Sequence, residues 1–453
     1  MKIVLVRPNY DTPSVAPYLG IGYLSSSLKA CGVEVVLIDN LLHKYPLDVL
    51  VKKIKDVNPD AVGICCLSAF YQEVKTLSLK LKEIGLRVII GGVHPTFLPY
   101  STLNDTKCDF VICGEGEKAI CDLVKNNFDN TNIKGVYKLG DITSDKGVEF
   151  AEPIENLDDI PFPDWDELDP KKYPTVPLGG TCKKSPIGIV MTSRGCYGHC
   201  TFCASPFLYK NKVRFRTPEN VVAEIELLKN KYGVKEIHIL DDNPIINFDY
   251  AKRLFELMIE RKIDLPWHCV NGIRADSLTK ELAILMKKAG CYQVAIGIES
   301  ANNGILRQIG KEETIEQIDK SINILHEVGI DSRGNFIFGL PGETKETIEE
   351  TINYSVKSKL DKAAFYVLDI VPGSPLWRTG KYQSKLSSAS MSYIKPNWIP
   401  DGLTSEYIEK SLSRAYRKFY LRPSKLFGML KDIKPEQYTH ILHRMCKIGI
   451  FKK

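Results

Sequence analysis

The sequence predicts an α/β protein with an amino-terminal Rossmann-like domain, a partial (β/α)6 barrel and a helical carboxy-terminal region. The main observation is that short apolar, β-branched runs alternate with amphipathic stretches, first five times and then six times along the chain. Strands that alternate with helices form parallel sheets covered by those helices. A proline-rich stretch separates the two series, so we expect four segments, at residues 1–130, 131–185, 186–378 and 379–453.

The composition is that of an ordinary globular chain, with 44% hydrophobic and 26% charged residues among 453. No apolar stretch reaches the roughly 18 residues that a membrane-spanning helix needs. The chain opens directly on a strand-like run and shows no export signal, and its 13 cysteines are an odd number. We therefore expect reduced thiols and a cytoplasmic location.

In the first segment, five brief runs are short enough to be buried strands: 3–6, 35–38, 61–67, 88–90 and 110–113. Doubly wound sheets bind ligands at the carboxyl ends of their strands. This segment concentrates its glycines there, in GGVHP at 91–95 and GEGE at 114–117. Glycine lets the backbone approach a ligand closely, so these loops are candidate binding loops.

Residues 131–185 carry repeated prolines and weak periodicity, which predicts a linker. Six strand candidates follow, at 187–192, 236–240, 267–271, 293–298, 335–338 and 363–371. Polar residues and glycines recur just after these strands, and the carboxyl ends of barrel strands form the rim where active sites lie. The predicted chemistry therefore belongs to this rim.

Three cysteines follow the first barrel strand, in the segment TSRGCYGHCTFCASP. Cys196, Cys200 and Cys203 could hold an iron-sulfur cluster and leave one iron free for another ligand, whereas four thiolates would close its coordination. The alternative is a structural zinc site with a fourth ligand such as His199, although zinc sites usually pair CxxC with a second, distant pair.

The CxxxCxxC spacing, with the aromatic Phe202 before the last cysteine, resembles the signature of the radical S-adenosylmethionine (radical SAM) enzymes. The resemblance implies a [4Fe-4S] cluster on the three cysteines, whose fourth iron chelates the amino and carboxylate groups of S-adenosylmethionine. It also implies a set of further cofactor-binding residues at the rim: Asp241, Asp242, Arg274, Gly297, Glu299 and Gly339.

Two of these roles have alternatives. Arg274 is the expected partner of the methionine carboxylate, since a guanidinium binds a carboxylate bidentately. Its alternative is a surface salt bridge to Asp276 or Glu281. Asp241 and Asp242 occupy the place where many relatives contact the methionine amine, but one of them could instead cap the loop or touch substrate.

The first segment resembles the cobalamin-binding domain that precedes the radical core in one large branch of these enzymes, through PYLGIGYLSSSLKACG, GGVHPT and CDFVICGEGE. The DxHxxG loop that supplies a histidine to cobalt in other cobalamin proteins is absent, so we expect cobalamin with no protein histidine on cobalt. His94 is an alternative axial ligand, or else a polar loop residue bonded to the backbone. The candidate cobalamin-binding residues are Ser68, Phe70, Tyr71, Gly91, Gly92, His94, Gly114 and Glu115. The other interpretation is a Rossmann-like fold with an empty or degenerate pocket.

Residues 405–453 are basic, with twelve lysines and arginines against four acids. This pattern fits peripheral contact with anionic lipid, a phosphorylated substrate, or simply a solvated helical face. The stretch AYRKFYLRP at 415–423 resembles the tail of several family members that act on lipids or tetrapyrroles, which favours a lipid-like substrate.

The resemblance implies an enzyme that reductively cleaves S-adenosylmethionine to a 5′-deoxyadenosyl radical and methylates an unactivated carbon of a small or lipid-like substrate. The main alternative is cyclisation, ring rearrangement or oxidation without methyl transfer. Methylthiolation of tRNA needs a second cysteine triad that residues 1–130 do not supply, so no nucleic-acid partner is expected. A simple electron-transfer protein has no need of an open iron. The expected reductant is a flavodoxin or ferredoxin-type protein.

Overall fold

The computed structural model describes residues 1–12, 14–175, 182–381 and 393–425. The chain divides into two compact units, Met1–Tyr173 and Pro174–Lys453. None of the helices in the described ranges combines the length and apolarity that crossing a membrane requires.

The first unit is built on one six-stranded sheet in the order β2-β1-β3-β4-β5-β6, parallel except for β6. Its strands are β1 (Lys2–Arg7), β2 (Glu34–Asp39), β3 (Ala61–Cys65), β4 (Val88–Gly91), β5 (Phe110–Ile112) and β6 (Val136–Tyr137). Its helices are α1 (Leu19–Ala30), α2 (Asn40–His43), α3 (Leu47–Val57), α4 (Tyr71–Glu83), α5 (Val93–Phe97), α6 (Pro99–Thr106) and α7 (Gly116–Lys125). The predicted Rossmann-like arrangement is confirmed.

The strand order identifies the crevice of this sheet. Strand β2 is added on one side of β1, and strands β3 to β6 are added in turn on the other side, so the strand order switches between β1 and β3. The carboxyl ends of strands at such a switch point bind ligands in doubly wound sheets. The core strands are almost fully buried, because both faces of a parallel sheet are covered.

Part of the segment predicted as a linker packs on α1 of the first unit. Asp164 accepts a hydrogen bond from Ser25 Oγ at 2.6 Å and pairs with Lys29 Nζ at 2.6 Å. Trp165 is 2% exposed. Gly22 allows this close approach, since a Cβ there would lie 2.6 Å from Leu168 Cδ1. The compact unit therefore extends beyond the five-strand core.

The second unit contains a six-stranded parallel sheet in the order β14-β13-β12-β11-β10-β7, together with a small antiparallel ribbon of β8 and β9. Its strands are β7 (Ile187–Val190), β8 (Ser193–Arg194), β9 (Arg214–Phe215), β10 (Glu236–Ile239), β11 (Trp267–Ile273), β12 (Cys291–Glu299), β13 (Asp331–Phe338) and β14 (Lys362–Val367). Its helices are α8 (Ser205–Leu208), α9 (Pro218–Asn230), α10 (Phe248–Glu260), α11 (Lys280–Lys288), α12 (Asn303–Gln308), α13 (Ile315–Val328), α14 (Lys345–Lys357), α15 (Pro375–Arg378) and α16 (Ser405–Tyr420).

This sheet confirms the predicted partial (β/α)6 barrel. The helices start where the sequence supplies caps, as at Thr314, which forms a capping box with Gln317. Along β13, buried and half-buried residues alternate, which is the pattern of a strand with one face under helices and the other towards the barrel interior. The last predicted strand ends at Val367 instead of continuing to residue 371.

Helix α16 covers the exposed edge of β14 with tyrosine hydroxyls. Tyr416 Oη accepts from the Phe365 N–H at 3.1 Å and donates to the Phe365 carbonyl at 3.1 Å. Tyr420 Oη bonds the N–H and carbonyl of Ala363 in the same way, at 3.1 and 2.7 Å. The aromatic side chains of the predicted carboxy-terminal tail thus pack on the barrel, while residues 426–453 of that tail lie outside the described residues.

Removing these hydroxyls is expected to destabilise the second unit. The Tyr416→Phe and Tyr420→Phe variants each leave edge backbone groups without partners, which lowers the free energy of unfolding by about 1–3 kcal/mol. Urea unfolding of the metal-free chain measures this. The matched control is Tyr407→Phe on the same helix, whose hydroxyl makes only 3.5 Å contacts. Equal stability of all three variants would show that the edge contacts contribute nothing.

Candidate active site

The loop with the three cysteines, residues 195–204, is held at its start and at its middle by contacts of two glycines. Gly195 has φ +107°, and a Cβ at this position would overlap the carbonyl oxygen of Lys212. On the other side, Gly310 has φ +66°, and a Cβ there would lie 2.5 Å from the His199 carbonyl oxygen. The Thr201 N–H donates to the Ile309 carbonyl at 2.8 Å. The loop is therefore fixed by backbone contacts that tolerate no side chain.

The three thiols are half-buried and chemically suited to a metal cluster. Burial raises the pKa of all three, that of Cys200 to about 11 and that of Cys203 to about 12, so a metal must displace their protons. The positive charges of Lys311 and Arg274 act in the opposite direction at Cys196 and Cys200 and favour thiolate. The Gly198 N–H also donates to Cys196 Sγ at 3.3 Å.

The three thiols do not converge closely enough to hold a single ion. Across the described ranges, the one set of three His, Cys, Asp or Glu ligand atoms within 4.8 Å of one another lies elsewhere in the barrel. His199 is the fourth ligand in the zinc alternative. Its Nδ1 atom lies 3.2 Å from Glu312 Oε1. The residues present therefore fit an iron-sulfur cluster better than zinc.

Asp241 is a structural anchor of the cysteine loop. Its buried carboxylate accepts from the Thr192 N–H at 2.7 Å, from Thr192 Oγ1, and from Ser193 Oγ at 2.6 Å. Burial raises its pKa to about 6, although these hydrogen bonds act to lower it. The carboxylate thus ties the end of β10 to the strand that leads into the cysteines. Asp242, by contrast, has an exposed side chain that accepts from Ser205 Oγ.

Arg274 lies beside the cysteine loop but is already paired. Nε and Nη2 donate to the two oxygens of Asp276, at 3.1 and 2.7 Å, and Nη1 donates to the Lys311 carbonyl at 3.1 Å. Asp276 is one of the two alternative partners that the sequence predicted for Arg274. The other, Glu281, accepts a hydrogen bond from Lys252. A Cβ on Gly198 would lie 3.7 Å from Arg274 Nη1, so the guanidinium lies next to the cysteine loop.

Glu299 belongs to a buried charge cluster that the sequence reasoning missed. Its Oε1 lies 3.5 Å from Lys311 Nζ, which in turn lies 3.0 Å from Glu313 Oε2. Glu313 also accepts from the Ala275 N–H. Glu299 has φ +65°, an uncommon conformation that is found at functional sites. Gly297 makes room for this cluster, because a Cβ there would overlap Glu299 Oε1.

Lys311 and Glu313 were missed because they follow helix α12 and not a strand. The sequence search concentrated on strand ends, where barrel active sites lie. The signal available was the run KEE at 311–313 directly after a glycine. Of the other predicted rim residues, Phe202 is half-buried.

The loop after β13 is organised by a buried carboxyl group. Glu343 accepts from the backbone N–H of Gly339 at 2.7 Å and of Leu340 at 3.0 Å. Burial raises the pKa of Glu343 to about 8 even though these donors lower it. Gly339 itself has φ +86°.

In the first unit, the predicted residues gather at the carboxyl ends of β3, β4 and β5. His94 Nδ1 lies 2.9 Å from Ser68 Oγ, and the His94 ring stacks on Tyr71 at 4.0 Å between centroids. Burial lowers the pKa of His94 to about 4. Gly92 has φ +116°, and a Cβ there would lie 2.5 Å from the Cys66 carbonyl oxygen. His94 is thus a neutral, hydrogen-bonded ring.

The remaining predicted residues of this unit pack in the core or form hydrogen bonds within the loops. Phe70 is 1% exposed and its ring lies 4.6 Å from that of Tyr10. The N–H of Gly114 donates to Thr96 Oγ1 at 2.9 Å, and Glu115 accepts from the Ile154 N–H at 2.9 Å. Gly91 is half-buried at the end of β4.

The residues at the end of β1, on the other side of the crevice, were not among the predicted site residues. Arg7 is buried, donates to the Ala16 carbonyl at 2.7 Å and lies 3.4 Å from Asp39. Tyr173 Oη also donates to Asp39, at 2.8 Å.

Glu343 gives a pH prediction. Its pKa is higher in the folded chain, about 8, than its ordinary value of 4.5, so the folded state binds the proton more tightly. The contribution of Glu343 to wild-type stability should therefore be greatest near pH 4.5 and fall as the pH rises towards 8. The Glu343→Gln variant lacks this loss and should gain in melting temperature relative to wild type between pH 5 and 8.5. The exposed Glu346→Gln variant is the control, and a pH-independent difference for Glu343→Gln would contradict the assignment.

Family models match both units of the chain. Residues 190–355 match the radical SAM superfamily, and residues 3–124 match the B12 binding domain. An uncharacterized methyltransferase of Pyrococcus horikoshii is 34% identical over 96% of this chain and 95% of its own length. The cytidylyl-2-hydroxyethylphosphonate methyltransferase of Streptomyces wedmorensis is 28% identical over 96% and 93%. The anaerobic magnesium-protoporphyrin IX monomethyl ester cyclase of Cereibacter sphaeroides is 30% identical over 93% and 71%.

Two solved structures share the fold. The radical S-adenosylmethionine methyltransferase TsrM of Kitasatospora setae has a TM-score of 0.69 at 19% identity, over 90% of this chain and 81% of its own. The cobalamin-dependent S-adenosylmethionine radical enzyme OxsB has a TM-score of 0.72 at 17% identity, over 99% and 71%. The match of both units, and a relative 34% identical along nearly its whole length, show that this chain belongs to the radical SAM superfamily, in the branch with an amino-terminal B12-binding domain, and is an enzyme whose cofactors are a [4Fe-4S] cluster, S-adenosylmethionine and cobalamin.

Proposed function

We propose that the enzyme methylates an unactivated carbon of a small or lipid-like substrate. The observation that carries this is the presence, in one chain, of a preorganised three-cysteine loop and a B12-binding sheet. Support for methyl transfer comes from the relatives named methyltransferases, which match along more than nine-tenths of their length. When bound, the cluster supplies the electron that splits S-adenosylmethionine, and cobalamin carries the methyl group that replaces a substrate hydrogen.

We assign the cluster to Cys196, Cys200 and Cys203. Three thiolates leave one iron open. The side chain of His199, the fourth ligand in the zinc alternative, pairs with Glu312. The nearby charges of Arg274 and Lys311 compensate the negative thiolates. The Gly198 N–H bond to Cys196 Sγ adds a further stabilising contact.

S-adenosylmethionine fits the rim beside this loop. Phe202, Gly297, Glu299 and Gly339 are kept as its candidate contacts, with Glu299 held in place by Lys311. Asp241 is a positioning residue, since its carboxylate is fully used by Thr192 and Ser193. Its exposed neighbour Asp242 is the one of the pair able to reach a ligand.

Arg274 has two routes to the methionine carboxylate. It can exchange Asp276 for this carboxylate, because Asp276 occupies the edge of the guanidinium that binds a carboxylate bidentately, or it can act on the carboxylate through charge alone. Its position beside Gly198 places positive charge at the cluster in either case.

Cobalamin is assigned to the crevice of the first unit, with Ser68, Tyr71, Gly92 and Gly114 as contacts. The lack of a DxHxxG loop supports cobalamin without a histidine on cobalt. Phe70 supports the loop from the core and is not a surface for the ring. We keep 1–130, 131–185, 186–378 and 379–453 as functional segments, and propose a flavodoxin or ferredoxin-type reductant and a reducing cytoplasmic compartment.

The second candidate function is cyclisation or oxidation without methyl transfer. The observation that favours it is the 30% identity to a magnesium-protoporphyrin cyclase. Both functions use the same cofactors, so only the products separate them.

The cysteine assignment predicts the behaviour of a triple variant. Replacing Cys196, Cys200 and Cys203 together by alanine should leave anaerobically reconstituted protein without a [4Fe-4S] cluster and without reductive cleavage of S-adenosylmethionine. Iron analysis and measurement of 5′-deoxyadenosine test this. The matched control is alanine at Cys182, Cys269 and Cys291, which are buried cysteines of the same unit. A full iron complement in the first variant would refute the assignment.

Product stoichiometry decides between the two functions. A methyltransferase uses one S-adenosylmethionine for hydrogen abstraction and a second to restore the methyl group on cobalamin. Turnover should therefore yield 5′-deoxyadenosine and S-adenosylhomocysteine in equal amounts, with the label of methyl-labelled S-adenosylmethionine in the product. If 5′-deoxyadenosine forms with no S-adenosylhomocysteine and no labelled product, the cyclase or oxidase function replaces the proposal.

A further inference from the structure

The barrel contains a second group of metal-binding side chains, on strands β10 and β11 and not on the cysteine loop. Glu236 and His238 are alternate residues of β10, and His238 is the register partner of His268 on β11. One ligand atom of each lies within 4.8 Å of the other two. Glu236, His238 and His268 are 0%, 3% and 4% exposed. Two imidazoles and a carboxylate therefore meet inside the barrel.

The His268 ring packs between those of His238 and Tyr292, but its nitrogens lack hydrogen-bond partners. Neither of its ring nitrogens makes a hydrogen bond of normal geometry, and Nδ1 of His238 also has none. These nitrogens are shielded from bulk solvent. Leaving such groups unpaired is costly. An ion that coordinates a ring nitrogen directly, at about 2.0–2.2 Å, removes this cost for that nitrogen.

Glu236 is positioned as a ligand by its neighbours. Its Oε1 accepts from Tyr292 Oη at 2.6 Å, and its Oε2 accepts from the backbone N–H groups of Lys183 and Lys184 at 2.8 and 2.6 Å. Oε1 also lies 2.9 Å from His238 Nε2. With the ring proton on Nδ1, both atoms present lone pairs to one ion. Hydrogen-bonded carboxylates of this kind orient metal sites.

Two cations of the same sheet, one on β13 and one on β14, oppose a bound cation, but both have other partners. Arg333 Nη2 donates to the Val270 carbonyl at 3.2 Å. Lys362 Nζ donates to Gln293 Oε1 at 2.8 Å and lies 3.9 Å from Asp331. Glu236 provides the negative charge at the ligand atoms themselves.

We propose that Glu236, His238 and His268 bind one divalent transition-metal ion, with zinc as the best match to two imidazoles and one carboxylate. This ion is separate from the iron of the cysteine loop and from cobalt. It joins β10 to β11 inside the barrel and satisfies one of the two unpaired ring nitrogens of His268.

Zinc K-edge X-ray absorption on the full-length, cluster-loaded protein tests the proposal. After dialysis against Zn²⁺ and removal of excess metal, we expect one zinc per chain with nitrogen and oxygen neighbours only, at about 2.0–2.2 Å. His268→Gln should weaken zinc binding by at least about tenfold, since even the loss of a supporting residue costs that much. The control His326→Gln, exposed on α13, should bind zinc as wild type does.

The iron content and cluster absorption of each variant show whether it has folded. If His268→Gln does not fold, the wild-type spectrum decides alone. The proposal is overturned if wild type retains no zinc, if the zinc has sulfur neighbours, or if folded His268→Gln binds zinc with unchanged affinity.

Discussion

The active site depends on a loop that is held by its backbone. The cysteine loop approaches Lys212 at Gly195 and Gly310 at His199 so closely that a single methyl group would separate them. Just before these points, Asp241 holds the preceding strand through Thr192 and Ser193. A cluster needs thiolates at fixed spacing, and these contacts fix that spacing before any metal binds. The parallel strands of the barrel bring the cysteine loop, the end of β10 and the segment around Gly310 together at one rim.

Charge compensation is the second requirement of the site. Lys311 is buried between Glu299 and Glu313, and Arg274 is bound to Asp276, so each cation near the thiols already has an acidic partner. Buried ion pairs of this kind contribute little net stability, because desolvation opposes the attraction. Their value here is position: they hold positive charge beside three groups that must become thiolates.

The sequence predicted the architecture well because strands buried on both faces are apolar and brief, and this pattern is local. It predicted the cysteines because their spacing is also local. It did less well where one residue type serves two purposes. Asp241 and Asp242 look alike in sequence, yet the carboxylate of Asp241 is buried and bonded to Thr192 and Ser193, whereas Asp242 is exposed. Arg274 has Asp276 two residues away, and only geometry shows that they pair.

Other features depend on contacts between distant parts of the chain. Lys311 reaches Glu299 from a helix end, and Tyr416 and Tyr420 satisfy the edge of β14 from more than fifty residues away. Neither contact has a periodic or motif signal. The stretch at 415–423 suggested a lipid-like substrate through its resemblance to other tails, and the packing of its tyrosines on the barrel had no signal in the sequence.

The central claim is that the three cysteines hold a cluster with one open iron that S-adenosylmethionine occupies. Electron-nuclear double resonance on the reduced cluster, with S-adenosylmethionine labelled at its amino nitrogen and carboxylate oxygens, tests this most directly. The account predicts hyperfine coupling from both labels to the cluster, and its loss in the triple cysteine variant. A fully reconstituted cluster that shows no coupling to either label would contradict it.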